Sequence, residues 1–82
     1  MKPVMQARYD WKQDILDNPS RKLARVEVDH HEGVVFVSAV DDQGEPFACA
    51  NFTVSPSEWT TRFKKQVVIL FTGDALKARG QQ

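Results

Sequence analysis

Two adjacent histidines, His30 and His31, lie between Asp29 and Glu32 and form the one cluster in this sequence with metal-ligating chemistry. Neighbouring residues on a strand point to opposite faces, so the two imidazoles cannot readily chelate one ion from the same chain. A zinc site takes about four ligands, whereas the chain has no further histidine and one cysteine, Cys49. The sequence therefore predicts no metal and no cofactor, and HHEG reads as a polar turn. Cys49 with a histidine could mimic a nucleophile and its base. It stands in the small-residue run ACAN, however, which suits a strand packed closely on a neighbour, and free cysteine is commonly buried. The acids Asp41, Asp42 and Glu45 lack the spacing and closing glutamate of a calcium loop. They read as a solvated hairpin tip. Asn51-Phe52-Thr53 matches a glycosylation sequon, which carries no meaning without a signal peptide. With no phosphate-binding glycine loop and no nucleophile–base–orienter set, no catalytic residue is assigned and an enzyme is not expected.

The elements around these residues follow from their periodicity. Met5, Ala7, Tyr9 and Trp11 alternate with polar residues, which predicts a strand over roughly 4–11 and then a loop or short turn of helix to Leu16. Asp17 to Ser20 is a turn. Leu23 to Asp29 reads as a strand with Ala24, Val26 and Val28 inward. Val34 to Val40 is a β-branched and aromatic run, the natural central strand. Asp41 to Pro46 forms a hairpin loop in which Gly44 supplies a positive φ. Phe47 to Val54 returns with Ala48, Ala50, Phe52 and Val54 on one face and Phe47, Cys49, Asn51 and Thr53 on the other. Ser55-Pro56-Ser57-Glu58 has the residue types of a capping box, so a helix is expected to begin there. Trp59, Phe63 and Val67, four residues apart, give that helix its packing stripe. Gln66 to Phe71 either continues the helix or forms a last strand, and Thr72-Gly73-Asp74 reads as a break before a short helical tail. The expected architecture is one α+β domain spanning 1–82, a three- to four-stranded antiparallel meander with one main C-terminal helix packed on it.

Charge divides along the same lines. From Val26 to Thr61 there are seven acidic residues and no lysine or arginine, while residues 1–25 hold six Lys/Arg and residues 62–82 hold five. The formal net charge of zero thus hides basic ends and an acidic middle. One cysteine cannot form an internal disulfide, the N-terminus shows no apolar signal-peptide core, and no stretch is apolar enough to span a bilayer. These features read as a soluble cytoplasmic protein. A core this small rarely supplies more than ~3–5 kcal/mol, so a homodimer would be a natural way to bury more surface.

From about Leu23 to Val67 the chain resembles the positive-cofactor-four family of transcriptional coactivators, dimeric proteins that bind single-stranded DNA through curved antiparallel sheets. The matching elements are the strand ARVEV, the HHEG turn, the strand VVFVSAV, the acidic hairpin DDQGEP, a third strand, and the helix start SPSEW followed by RFKKQV. The resemblance implies a strand meander followed by a helix. It does not bring the binding residues, because the family's hairpin and third strand are rich in Lys, Arg and Gly, where this chain reads EPFACANFTV.

Two functions follow as expectations. The first is a non-catalytic protein-interaction module of accessory, regulatory or inhibitor type, with a protein partner held by Tyr9, Trp11, Asp41, Asp42, Glu45 and Phe47. Charge polarity suits steering onto a charged partner, and Trp and Tyr dominate interface hot spots. The alternative is a single-stranded nucleic-acid binder using Arg21, Lys22, Arg25, Arg62, Lys64 and Lys65, with Trp11 or Tyr9 as stacking platforms.

Overall fold

Residues 11–80 are described by the computed structural model, and the expected strand over 4–11 falls, except for Trp11, outside them. Trp11 itself opens a helix, α1 (Trp11–Asp17). Two side-chain bonds one turn apart reinforce it: Gln13 donates to Asp17 at 2.8 Å, and Asn18 Nδ2 donates to the Asp14 carbonyl at 2.8 Å. Pro19 disfavours helical backbone at Asn18 and ends the helix there.

Three strands follow, β1 (Leu23–His31), β2 (Val34–Asp41) and β3 (Pro46–Thr53), paired antiparallel in the order β1-β2-β3. Glu32 and Gly33 make the first hairpin with φ of 52° and 80°. Two successive positive φ values form the turn whose twist matches a two-residue hairpin. The register pairs Val28 with Val37 and Val37 with Ala50, so one face carries Val26 and Val28, then Val35, Val37 and Ala39, then Ala48, Ala50 and Phe52. Val35, Val37 and Ala39 have no exposed surface. The sequence period alone would put Ala24 on this face and Phe47 on the other. Irregular pairing reverses both. The register shifts between Leu23 and Arg25, leaving Ala24 exposed while Leu23 packs on the core. It shifts again opposite Ala39 and Val40, so that Phe47 joins Ala48 among the buried residues. An extra residue in one strand turns the following side chains over, which a strict two-residue period cannot anticipate.

The capping residues also act differently from their sequence pattern. Ser55 precedes a single 3-10 turn (Pro56–Glu58), and its hydroxyl and backbone N–H both donate to Glu58 Oε1, at 2.8 and 3.1 Å. These bonds hold the Glu58 carboxyl below its usual pKa. The main helix, α2 (Thr61–Ala78), starts later, with the Thr60 hydroxyl accepting from the Phe63 N–H at 3.1 Å. It runs without a break through Gln66–Phe71 and Gly73. QVVILF has strand composition, yet no turn separates it from the preceding helical turn. Val67 and Ala75, eight residues apart on one helical face, are buried, with Phe71 half-buried between them.

Both helices lie on the same side of the sheet, α2 against β1 and β2 and α1 against β3, and they touch each other. Trp11 sets its edge on Phe71 at 5.0 Å between ring centroids, and Phe71 stacks on Phe52 at 6.3 Å. Trp59 stacks on His30 at 5.1 Å and meets Phe63 edge-on at 5.9 Å. The fold is therefore an α+β meander whose inner face is covered by two helices and whose outer face, among the described residues, has no helix or strand over it.

Two stability measurements check this. Gly73 is helical, exposed and has open space where a Cβ would stand, so Gly73→Ala is expected to raise the unfolding free energy by roughly 0.5–1 kcal/mol in urea titration. Thr60→Ala is expected to cost about 1 kcal/mol, more than Ser55→Ala, because Thr60 is the residue that caps α2.

Candidate functional site

The uncovered face is built by the residues that alternate with the core. Arg25, Glu27, Asp29 and His31 form its β1 row, and Val34, Phe36, Ser38 and Val40 its β2 row, of which Val40, paired with Arg25, is buried. Cys49, Asn51 and Thr53 form its β3 row. Phe36 stands at the centre, 40% exposed, with Asp29 opposite on one side and Asn51 on the other. The face is thus an apolar strip bordered by carboxylates on one flank and by small polar groups on the other. Among the described residues its one guanidinium, Arg25, donates to Glu27 at 2.7 Å. Among the described residues no cation pairs with Asp29. Glu32 adds negative charge at one hairpin tip, and Asp42 and Glu45 add it at the other, all three exposed. A groove of about 640 Å³ runs along β1 beside this face, lined by Val26–Asp29, Phe36 and Ser38 and, from α2, Lys64 and Val68.

At the far end of the sheet the charged residues are engaged with one another. Asp41 is buried. Its Oδ1 accepts from the N–H groups of Glu45 at 2.8 Å and Gln43 at 2.9 Å, and its Oδ2 accepts from Arg21 Nε at 2.5 Å. The Glu45 N–H, with Arg21 and the Gln43 N–H, holds the Asp41 carboxyl below its usual pKa against the opposing effect of burial. Arg21 and Arg79 both lie against the Phe47 ring, 5.4 and 5.3 Å from its centroid, and Arg79 also donates to the Asn18 carbonyl at 2.9 Å. This cluster fastens the second hairpin to α1 and to the end of α2.

Placed on this structure, the expected partner-binding residues separate. Tyr9 lies outside the described residues. Trp11 and Phe47 are core residues, and Asp41 is sealed in its own hairpin. None of these three is presented as an interface anchor. Asp42 and Glu45 are exposed at the hairpin tip. Cys49, expected to be buried, is exposed on the uncovered face, because it alternates with Ala48 and Ala50 rather than sharing their side. His30 and His31 point to opposite sides, one under Trp59 and the other to solvent. Of the expected phosphate-binding residues, Arg21 and Arg25 are tied to Asp41 and Glu27. Lys22 is exposed just before β1, and Arg62, Lys64 and Lys65 are exposed on α2. Lys64 shares its groove with Glu27 and Asp29, whose charge opposes phosphate. Sequence reasoning missed Glu27, Asp29 and Phe36 as site residues. Their signal was present in the alternation of VEVD and VVFVS, which assigns them to the face opposite Val26, Val28, Val35 and Val37.

Comparisons with protein-family models, curated proteins and solved structures returned no match to this chain. No helix is long and apolar enough to cross a membrane among the described residues.

The Asp41 cluster generates a pH prediction. A carboxyl whose folded pKa lies below its unfolded value near 4 contributes stability that is complete above that value and is lost as pH falls through the folded pKa. Asp41→Asn is therefore expected to lower Tm at neutral pH and to flatten the fall of Tm in acid. Thermal melts of both proteins across pH 2–7 would measure it, and parallel acid limbs would contradict it.

Proposed function

We propose that this protein is a non-catalytic protein-interaction module, an accessory, regulatory or inhibitor-type domain that docks a cationic protein partner on the uncovered face of its sheet. The observation that carries the reading is the composition of that face: an exposed Phe36 in an apolar strip, bordered by Glu27 and Asp29, with one guanidinium already engaged. Interfaces combine an apolar centre with a polar rim, and complementary charge sets on-rate and specificity more than raw affinity. An exposed thiol at Cys49 suits a reducing cytoplasm, where it would stay unpaired.

The residues supporting this reading differ from the aromatic anchors first expected, because Trp11 and Phe47 are spent on the core. Asp42 and Glu45 keep a place in it as an acidic rim at the hairpin tip. They extend the negative border beyond β1.

Affinity capture from a cell extract, with wild type and a Glu27→Lys/Asp29→Lys variant as paired baits, tests the reading. Basic proteins retained by wild type and lost from the variant are the expected result; an unchanged set would sink it. A labelled single-stranded oligonucleotide followed by anisotropy at low salt supplies the second arm. No binding is expected. Salt-sensitive binding abolished by changing Arg62, Lys64 and Lys65 to alanine would replace this reading with the nucleic-acid one.

A further inference from the structure

The two edges of the sheet are treated differently. The two-residue turn makes His31 and Val34 a hydrogen-bonded pair, so pairing between β1 and β2 uses alternate residues from there: Asp29 with Phe36 and Glu27 with Ser38. The β2 residues between them bond to β3, through Val35 with Phe52, Val37 with Ala50 and Ala39 with Ala48. On β3 the outward backbone groups therefore belong to Phe47, Cys49, Asn51 and Thr53, and α1 meets the first two. Asp14 accepts from the Cys49 N–H at 3.4 Å, and Asn18 Nδ2 lies 3.5 Å from the Phe47 carbonyl. On β1 the outward groups belong to Val26, Val28 and His30. Among the described residues no side chain or further strand meets them.

That bare edge borders the groove already described, between the acidic face and α2. A second hollow, lined by Thr61, Lys64, Lys65, Val68 and Ile69, continues from it across α2 and shares Lys64 and Val68 with it. Ile69, 71% exposed, is its apolar wall. Unpaired donors and acceptors on a strand, with a helix alongside, form the setting in which an extended peptide adds to a sheet.

Resting on the interaction reading above, we propose that the edge of β1 takes up an extended segment of the partner as a fourth strand, one that alternates basic and apolar residues. Main-chain bonds to Val26, Val28 and His30 hold the segment. Its side chains on the outer face lie beside Glu27 and Asp29, where lysine or arginine forms opposite-charge cross-strand pairs. Its side chains on the inner side lie beside Val68 and Ile69, where apolar residues bury surface. An acidic segment is rejected by the same two carboxylates, which gives the edge its specificity.

A blocked peptide alternating lysine and valine, titrated into the full chain and followed by amide NMR shifts, tests this directly. Binding is expected, with the largest shifts at Val26, Val28 and His30. Methylating alternate backbone nitrogens of the peptide keeps every side chain and should weaken binding at least about tenfold, since several main-chain bonds are lost at once. A glutamate–valine peptide should not bind. Equal affinity for the methylated peptide would overturn strand addition while leaving side-chain docking on the acidic face intact. Failure of the lysine–valine peptide, with wild-type capture still lost on Glu27→Lys/Asp29→Lys, would do the same. A free protein that sediments as a dimer paired through β1 would also overturn it, because a second copy would hold the edge.

Discussion

The exclusion of water from Val35, Val37 and Ala39 governs this structure. These three side chains of the central strand have no exposed surface, and burying each valine contributes roughly 1.5–3 kcal/mol. In a domain of this size that is a large part of what stabilises it. Two helices suffice to cover one face of a three-stranded sheet. The small residues Ala48 and Ala50 line the β3 part of that face, where α1 packs, and Val67, Phe71 and Ala75 supply the buried stripe of α2. Once both helices are committed there, no described helix or strand is left to cover the other face. The uncovered face is thus a consequence of how the core is closed.

What stands on that face then follows from alternation and charge. Glu27 and Asp29 face outward because Val26 and Val28 face inward. Among the described residues, two arginines that could have neutralised the sheet are engaged elsewhere. Arg21 and Arg79 bind the Asp41 hairpin, the Phe47 ring and the Asn18 carbonyl, and the α2 lysines lie on the helix side. The sequence-level division into basic ends and an acidic middle becomes, in three dimensions, a structural clamp at one end and an acidic sheet beside a basic helix. The edge of β1 runs along the border between those last two, which is why a strand laid there meets both charge and apolar surface.

Much of the fold was legible in the residues. VVFVSAV declared the central strand, Glu32-Gly33 and Asp42 to Glu45 make turns inside the expected HHEG and DDQGEP while His30 and His31 extend β1, and Phe63 and Val67 marked the packed stripe of the helix. The failures share a cause, which is that local pattern was overruled by a neighbour. Phe47 left its expected face because the pairing slips by a residue opposite Val40. Ser55 carries capping-box residues but spends them on a 3-10 turn, and Thr60 begins α2. Gln66 to Phe71 stays helical because it is already part of a helix when its strand-like composition begins. The site was less legible than the fold. Aromatics and charges were the natural candidates, but Trp11, Phe47, Asp41 and Arg21 are the residues that hold the structure together. Those left on the open face are the ones the core did not use.

Backbone hydrogen exchange in the free protein tests the central claim most directly, because it reads which amides of the sheet already have partners. The account predicts slow exchange at Val35, Val37 and Ala39 and at Glu27 and Asp29. It predicts fast exchange at Val26, Val28 and His30, along the same strand. Equal protection at all five β1 positions would contradict it, since the edge proposed for a partner would then be occupied.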